Sequence, residues 1–255
     1  MIGRGLRKWI GGVRGLSTRR WLDAESHPAS PAPGSVRWGS FRRLTPISRN
    51  FGFERGQPID RYYIERFLAD HSPDIHGDVL EIKDSTYTRL YGADRVASVT
   101  VLDIDPSNRE ATMVGDLTKS DDLPRSTFDC IVLTQTLQLL FDLPSAVTNL
   151  FQSLKPGGVL LATVPGISRI GSKESDCWCW FFTANSVRRL FEREFPSESL
   201  KVLTCGNVLA AVSFLHGLAV QELQPKELDF RDGHFPVLIA IRAEKPAHIP
   251  LEGGR

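Results

Sequence analysis

Short apolar runs alternate with segments of helical periodicity from residue 58 to residue 243. Seven runs rich in Val, Leu and Ile predict strands, at residues 77–82, 97–104, 111–114, 128–134, 159–165, 200–205 and 235–243. Apolar residues at helical spacing predict helices at residues 58–71, 145–158, 183–195 and 207–223. Continuous apolar strands separated by helices are typical of parallel sheets that are covered on both faces. The pattern therefore predicts an α/β fold, a doubly wound, mostly parallel seven-stranded sheet with helices on both faces and an antiparallel last strand.

The segment before this pattern differs in charge and composition. Residues 1–50 hold ten Lys and Arg against two acids, and the Pro/Ser-rich stretch 26–35 resembles a linker. We expect a basic, Pro/Gly-rich, disordered head and linker over residues 1–50, a folded domain over 51–245 and a flexible tail over 246–255. One apolar stripe in the head also suits a membrane-surface helix or an organellar presequence, although five glycines disfavour that helix. The stripe consists of Leu6, Trp9, Ile10, Val13 and Leu16.

Composition narrows the classes of function. The 255 residues carry a net charge of +1, and outside the basic head acids outnumber Lys and Arg, so no basic face predicts nucleic-acid binding. The four cysteines lack the spacing of a disulfide framework or a structural zinc site, which predicts reduced thiols, a cytoplasmic location and no metal. No apolar run approaches the ~20 residues that cross a bilayer.

Three acids stand where predicted strands end. Glu81 lies near the end of the first strand, Asp103 ends the second, and Asp116 follows the third. In open parallel sheets, ligands bind outside the carboxyl ends of the strands, and an acid about 20 residues after the first motif meets a ribose. The second carboxylate can accept hydrogen bonds from both vicinal hydroxyls of a ribose. The three acids therefore predict a nucleoside-containing cofactor.

The order of these motifs resembles the class I S-adenosylmethionine-dependent methyltransferases, specifically the type 11-like group. The segment "VLEI" (79–82) stands at the first motif, "DIDP" (103–106) at the second, and "LKPGG" (154–158) precedes the fifth strand. The last of these is the most specific match. The resemblance covers residues 58–243 and implies a methyltransferase with S-adenosyl-L-methionine as cofactor.

The resemblance also implies roles for residues at the strand ends. Glu81 would lie by the amino-acid end of the cofactor, and Asp103 would hold the ribose hydroxyls. Around the adenine, Ile104 would pack on the ring, Asp116 would accept from the amino group, and the Leu117 amide would lie beside it. Gln135, with Thr134, would face the methionine part and the acceptor.

The first motif departs from the family. Lys83-Asp84-Ser85-Thr86-Tyr87 stands where the family has G-x-G-x-G, so the loop lacks the residues that adopt positive φ most easily. Asp84 could instead accept from the cofactor's ammonium, and Tyr87 could lie near the sulfonium, because a cation favours an aromatic face. Alternatively, Tyr87 fills the core behind the loop. The short distance to Gly92 implies a truncated first helix.

The predicted activity is O-methylation by in-line transfer of a methyl group. The expected acceptor is a hydroxyl of a small polar or carbohydrate-type molecule. Two alternatives remain open, a non-catalytic methyltransferase-like binding module and a nicotinamide-dependent oxidoreductase or epimerase. The second lacks the expected G-x-G-x-x-G pattern. His216, in the apolar helix near the end of the chain, is the candidate for a catalytic base, although a satisfied core histidine explains it as well.

Overall fold

A computed structural model describes residues 30–171 and 176–247. The predictions for residues 1–29 and 248–255 lie outside the described residues. Contacts between residues divide the chain into two units at Arg42 and Arg43. The described part of the first unit contains one 3₁₀ turn, Gly39–Phe41. The second unit contains the sheet and the cavity discussed below.

The second unit contains a seven-stranded mixed sheet in the order β3-β2-β1-β4-β5-β7-β6. The strands are β1 Gly77–Ile82, β2 Val96–Asp103, β3 Met113–Val114, β4 Phe128–Thr134, β5 Leu154–Pro165, β6 Leu200–Cys205 and β7 Leu238–Glu244. Strands β1 to β5 pair in parallel, whereas β7 is antiparallel to both of its neighbours. The predicted fold class, including the antiparallel last strand, is confirmed.

Helices cover both faces of this sheet. They are α1 Ile59–Asp70, α2 Leu143–Ser153, α3 Ala184–Phe191, α4 Val208–His216 and α5 Pro225–Asp229. Neighbouring strand residues point to opposite faces, so Leu80 and Ile131 join the core with α2 and α3, whereas Val79 and Cys130 join the core with α1, α4 and α5. A π-helical turn, Thr88–Gly92, and a 3₁₀ turn, Ala93–Arg95, replace a full helix between β1 and β2. All helices in the described ranges are too short or too polar to span a bilayer.

Several sequence-predicted boundaries were wrong, and those of β5 and α4 are examples. Strand β5 begins at Leu154 rather than at residue 159, because the turn after α2 already belongs to the strand. The long helix predicted for residues 207–223 ends at His216, since Gly217 takes φ 71° and closes α4 with a left-handed cap. The N–H groups of Gly217 and Leu218 donate to the last carbonyls of α4.

Gly217 provides a test of this boundary. A Cβ at Gly217 would lie 2.5 Å from the Ser48 carbonyl oxygen, whereas at Gly157, with φ 81°, it would meet nothing within 4 Å. We expect Gly157→Ala to cost about 1 kcal/mol through backbone strain alone. Gly217→Ala adds a backbone clash, so we expect a loss of at least about 2–3 kcal/mol in the free energy of unfolding. Urea denaturation of both variants measures the difference, and equal losses would contradict the close approach.

Candidate functional site

A cavity of about 670 Å³ lies at the carboxyl ends of the parallel strands. This is the edge at which open α/β sheets bind ligands. Its lining brings together residues from three strand ends, from the loop after β1 and from the first turn of α1. The lining includes every cofactor-binding residue predicted from the sequence, namely Glu81, Asp84, Tyr87, Asp103, Ile104, Asp116, Leu117 and Gln135.

The Glu81 carboxylate organises the loop after β1. Its Oε1 accepts from the Tyr87 N–H at 3.0 Å, and its Oε2 accepts from the Thr88 N–H at 2.7 Å. Both N–H groups open the π-helical turn, where backbone donors lack intrahelical partners. Only 3% of Glu81 is exposed, and this burial raises the pKa of its carboxyl group while the two N–H groups oppose the rise. Glu81 therefore holds the start of the turn in place.

Lys83 takes a backbone conformation that glycine adopts most easily. Its φ is 74°, in the left-handed region, which costs an L-residue with a Cβ roughly 1–2 kcal/mol. Its N–H donates to the Leu102 carbonyl, and its own carbonyl accepts from the Asn108 side chain. These contacts with β2 and with the connection after it hold Lys83 in this conformation. The loop thus makes a glycine-type turn without glycine.

The rest of the loop is held by local contacts. The Asp84 carboxylate accepts from the Thr86 N–H at 2.9 Å, a turn that Asp forms readily. Tyr87 is 5% exposed, lines the cavity and lies against Tyr91, with ring centroids 6.2 Å apart. Tyr87 is therefore part of the core, as one sequence-based interpretation predicts, and also part of the cavity wall; its place near the sulfonium stays a prediction.

The second strand places an acid and an exposed apolar side chain beside the cavity. The Asp103 carboxylate accepts from the Asp105 N–H at 3.0 Å and from the Asn108 side chain at 2.7 Å, which fixes its orientation. Each carboxylate oxygen retains a lone pair for a further donor. Ile104 is 67% exposed although it is apolar. An apolar face in this position suits a flat, uncharged ring.

Asp116 and Leu117 present a donor and an acceptor side by side. One Asp116 oxygen accepts from the backbone and hydroxyl of Thr118, and the backbone N–H of Thr118 is the main cause that lowers the Asp116 pKa. The other oxygen, and the N–H of Leu117, have no hydrogen-bond partner among the described residues. This pair complements an adenine edge, whose amino group donates and whose ring nitrogen accepts. The residues present fit S-adenosylmethionine in this respect.

A second strained residue follows β4. Gln135 has φ 49°, and its N–H donates to the Thr163 carbonyl on β5. The Gln138 amide nitrogen donates to the Gln135 carbonyl at 2.8 Å, which fixes which end of this amide is the oxygen. The Gln138 Oε1 atom is buried and has no partner within the described part of the chain. Strained backbone and unsatisfied acceptors of this kind cluster at ligand sites.

The first turn of α1 supplies two charged residues of the cavity lining that are not among the predicted cofactor-binding residues. Arg61 donates a hydrogen bond to the Tyr87 hydroxyl, and its guanidinium lies 5.6 Å from the centre of that ring. Beside it, Asp60 lines the cavity, and burial raises the pKa of its carboxyl to about 6. An acid in a first helical turn is common because it interacts favourably with the helix dipole. The position of Asp60 in the sequence therefore does not indicate a functional role.

His216 lies elsewhere. It is the last residue of α4, its carbonyl accepts from the N–H groups of Ile47 and Ser48, and it is not among the described residues that line the cavity. The structure therefore does not bring this candidate base to the predicted cofactor residues.

The Asp60 carboxyl gives a pH-dependent prediction. Its pKa in the folded protein exceeds the ordinary value, so the folded state binds this proton more tightly and stability falls as pH rises from about 4 to about 6. Asp60→Asn should increase the free energy of unfolding at pH 7.5 by about 1–2 kcal/mol, after allowance for partial exposure, with no gain at pH 4.

Urea denaturation at the two pH values measures this difference. Exposed Asp121 is the matched control, and we expect Asp121→Asn to change stability by less than about 0.5 kcal/mol. An Asp60→Asn variant that is no more stable than the wild type at pH 7.5 would contradict the desolvation of this carboxyl.

Comparisons with known proteins agree with this geometry. A family model described as a methyltransferase domain matches residues 76–201. A crystal structure of an S-adenosylmethionine-dependent methyltransferase from Archaeoglobus fulgidus is similar, with 13% identity, a TM-score of 0.51 and coverage of 72% of this chain and 94% of that one. Another from Mesorhizobium loti has 16% identity, a TM-score of 0.51 and coverage of 70% and 95%. No curated protein matches the sequence.

The fold is also shared with a protein of different chemistry. The [4+2]-cyclase SpnF has 15% identity and a TM-score of 0.50, with coverage of 76% of this chain and 85% of that one. At such identities the structural likeness shows the fold alone, because one fold hosts several reactions. The methyltransferase assignment rests instead on the family match over residues 76–201, which includes the strand-end acids.

Residues 76–201 match a methyltransferase domain, and this match with the shared fold supports a class I S-adenosylmethionine-dependent methyltransferase. The protein is an enzyme of that class, with S-adenosylmethionine as its cofactor. This assignment replaces the nicotinamide-dependent and non-catalytic alternatives considered from the sequence.

Proposed function

We propose that this methyltransferase methylates a hydroxyl oxygen of a small polar or carbohydrate-type acceptor. The observation that carries the proposal is the buried Gln138 Oε1 atom, which lacks a donor among the described residues although Gln138 lines the cavity. An unsatisfied buried acceptor costs about 1–3 kcal/mol, and an acceptor hydroxyl would relieve that cost. Phe51 and Trp178 also line the cavity, and aromatic residues are common in sites for small molecules.

The residues of the cavity would act mainly by binding and orientation. The cofactor supplies an activated methyl group on a sulfonium, so catalysis depends on alignment and on the exclusion of water. Asp103 would accept from the ribose hydroxyls, and Asp116 and the Leu117 N–H would bind the adenine edge. The strained backbone at Gln135 would face the methionine part and the acceptor. We further propose a cytoplasmic location, in agreement with the cysteine pattern.

The cofactor role of Asp103 can be tested by binding. We expect the wild type to bind S-adenosylhomocysteine in calorimetric titration and Asp103→Ala to weaken that binding by about 1–3 kcal/mol, because hydrogen bonds to a charged group are lost. Glu110, exposed in the same connection and outside the cavity lining, is the matched control, and Glu110→Ala should bind normally. Unchanged affinity in Asp103→Ala would remove Asp103 from the site.

The acceptor can be identified by assaying turnover. We expect incubation with S-adenosylmethionine and a panel of small alcohols, phenols and free saccharides to release S-adenosylhomocysteine with at least one hydroxyl compound, and NMR of the product to show an O-methyl group. A matched panel of amines is the control. Methylation of amines alone would contradict the proposed oxygen acceptor and leave the class of enzyme unchanged.

A further inference from the structure

We propose that Asp60 and Arg61, in the first turn of α1, bind the amino-acid end of S-adenosylmethionine. In this arrangement Arg61 binds the carboxylate of the cofactor and Asp60 binds its ammonium. The proposal rests on the assignment of this cavity to the cofactor. It adds a subsite on an element that lies outside the family's first motif.

The acid of the first motif is buried and holds the loop after β1. Each oxygen of Glu81 accepts a backbone N–H, and Glu81 is 3% exposed. Although Glu81 lines the cavity, its carboxylate is less accessible to a ligand than that of half-buried Asp60. A cofactor ammonium bound in the cavity needs an accessible carboxylate, since a buried unpaired charge is strongly unfavourable.

Asp60 and Arg61 offer a carboxylate and a guanidinium at one edge of the cavity. Neither residue forms an ion pair with any described residue. The Asp60 carboxylate accepts only from the Arg61 N–H of its own turn, at 2.9 Å. Of the five N–H donors of Arg61, one is used on the Tyr87 hydroxyl. Both side chains line the cavity, where adjacent opposite charges complement an α-amino acid.

Tyr87 connects this pair to the loop that replaces the glycine motif. Its N–H donates to Glu81, while its hydroxyl accepts from Arg61. The Glu81 carboxylate thereby fixes the position of the tyrosine against which the Arg61 guanidinium lies. Side chains of α1 and of the loop would thus make the contacts that glycine-rich loops make through the backbone.

Three ligands separate the parts of this proposal. S-adenosylhomocysteine carries the whole amino-acid end, its decarboxylated analogue S-adenosyl-3-thiopropylamine keeps only the amine, and 5′-methylthioadenosine lacks both groups. Calorimetric titration of the full chain with each ligand is compared for wild type, Arg61→Gln and Asp60→Asn. Arg66→Gln is the matched control, because Arg66 lies on the same helix but forms an ion pair with Asp229 outside the cavity.

We expect Arg61→Gln to weaken S-adenosylhomocysteine binding about 10- to 100-fold and to leave the affinities for the two other ligands within about twofold. Asp60→Asn should weaken binding of both amine-bearing ligands about tenfold and leave 5′-methylthioadenosine unaffected. Retained binding of 5′-methylthioadenosine also shows that each variant is folded. Arg66→Gln should match the wild type with all three ligands.

Other results would overturn the proposal. An Arg61→Gln variant that binds S-adenosylhomocysteine like the wild type removes Arg61 from the subsite, and a loss shared equally with 5′-methylthioadenosine shows that Arg61 only shapes the cavity through Tyr87. Unchanged amine binding in Asp60→Asn shifts the ammonium to another acid, such as Asp84. Absence of binding of all three ligands to the wild type would instead contradict the cofactor site itself.

Discussion

The two hydrogen bonds from the Tyr87 and Thr88 N–H groups to Glu81 are the constraint on which the site depends. They anchor the short turn that follows β1 to the strand itself. Because the turn cannot move away from the strand end, Tyr87 stays in the cavity wall and its hydroxyl meets Arg61 of α1. A buried carboxylate thus performs the structural task that close backbone packing performs in a glycine-rich motif. Its raised pKa reflects the cost of that burial.

The same loop explains why the missing glycines do not remove the cofactor site. Lys83 takes φ 74° because its N–H donates to the Leu102 carbonyl and its own carbonyl accepts from the Asn108 side chain. A strained conformation of this kind persists only where surrounding contacts over-determine it. The strand-end acids Asp103 and Asp116 then remain at the same edge of the sheet, with oxygens that the protein does not fully use.

Much of the fold could be predicted from the hydrophobic pattern because parallel strands buried on both faces leave few choices of residue type. The strands at 77–82, 128–134 and 200–205 have the predicted bounds. Boundaries set by backbone conformation could not be predicted in this way. The end of α4 depends on Gly217, whose close approach to Ser48 joins residues distant in sequence.

The sequence by itself determined the succession of strands and helices along the chain, the acids at the strand ends and the resemblance to a methyltransferase. These features depend on local periodicity and short motifs. Only the tertiary structure decided that Glu81 binds the loop after β1 and that His216 is not part of the cavity lining. It also decided that Asp60 and Arg61 line the cavity. The physical reason is that burial and hydrogen bonding arise between residues distant in sequence. No local pattern shows whether a charged side chain finds its partner within the protein or keeps its charge for a ligand.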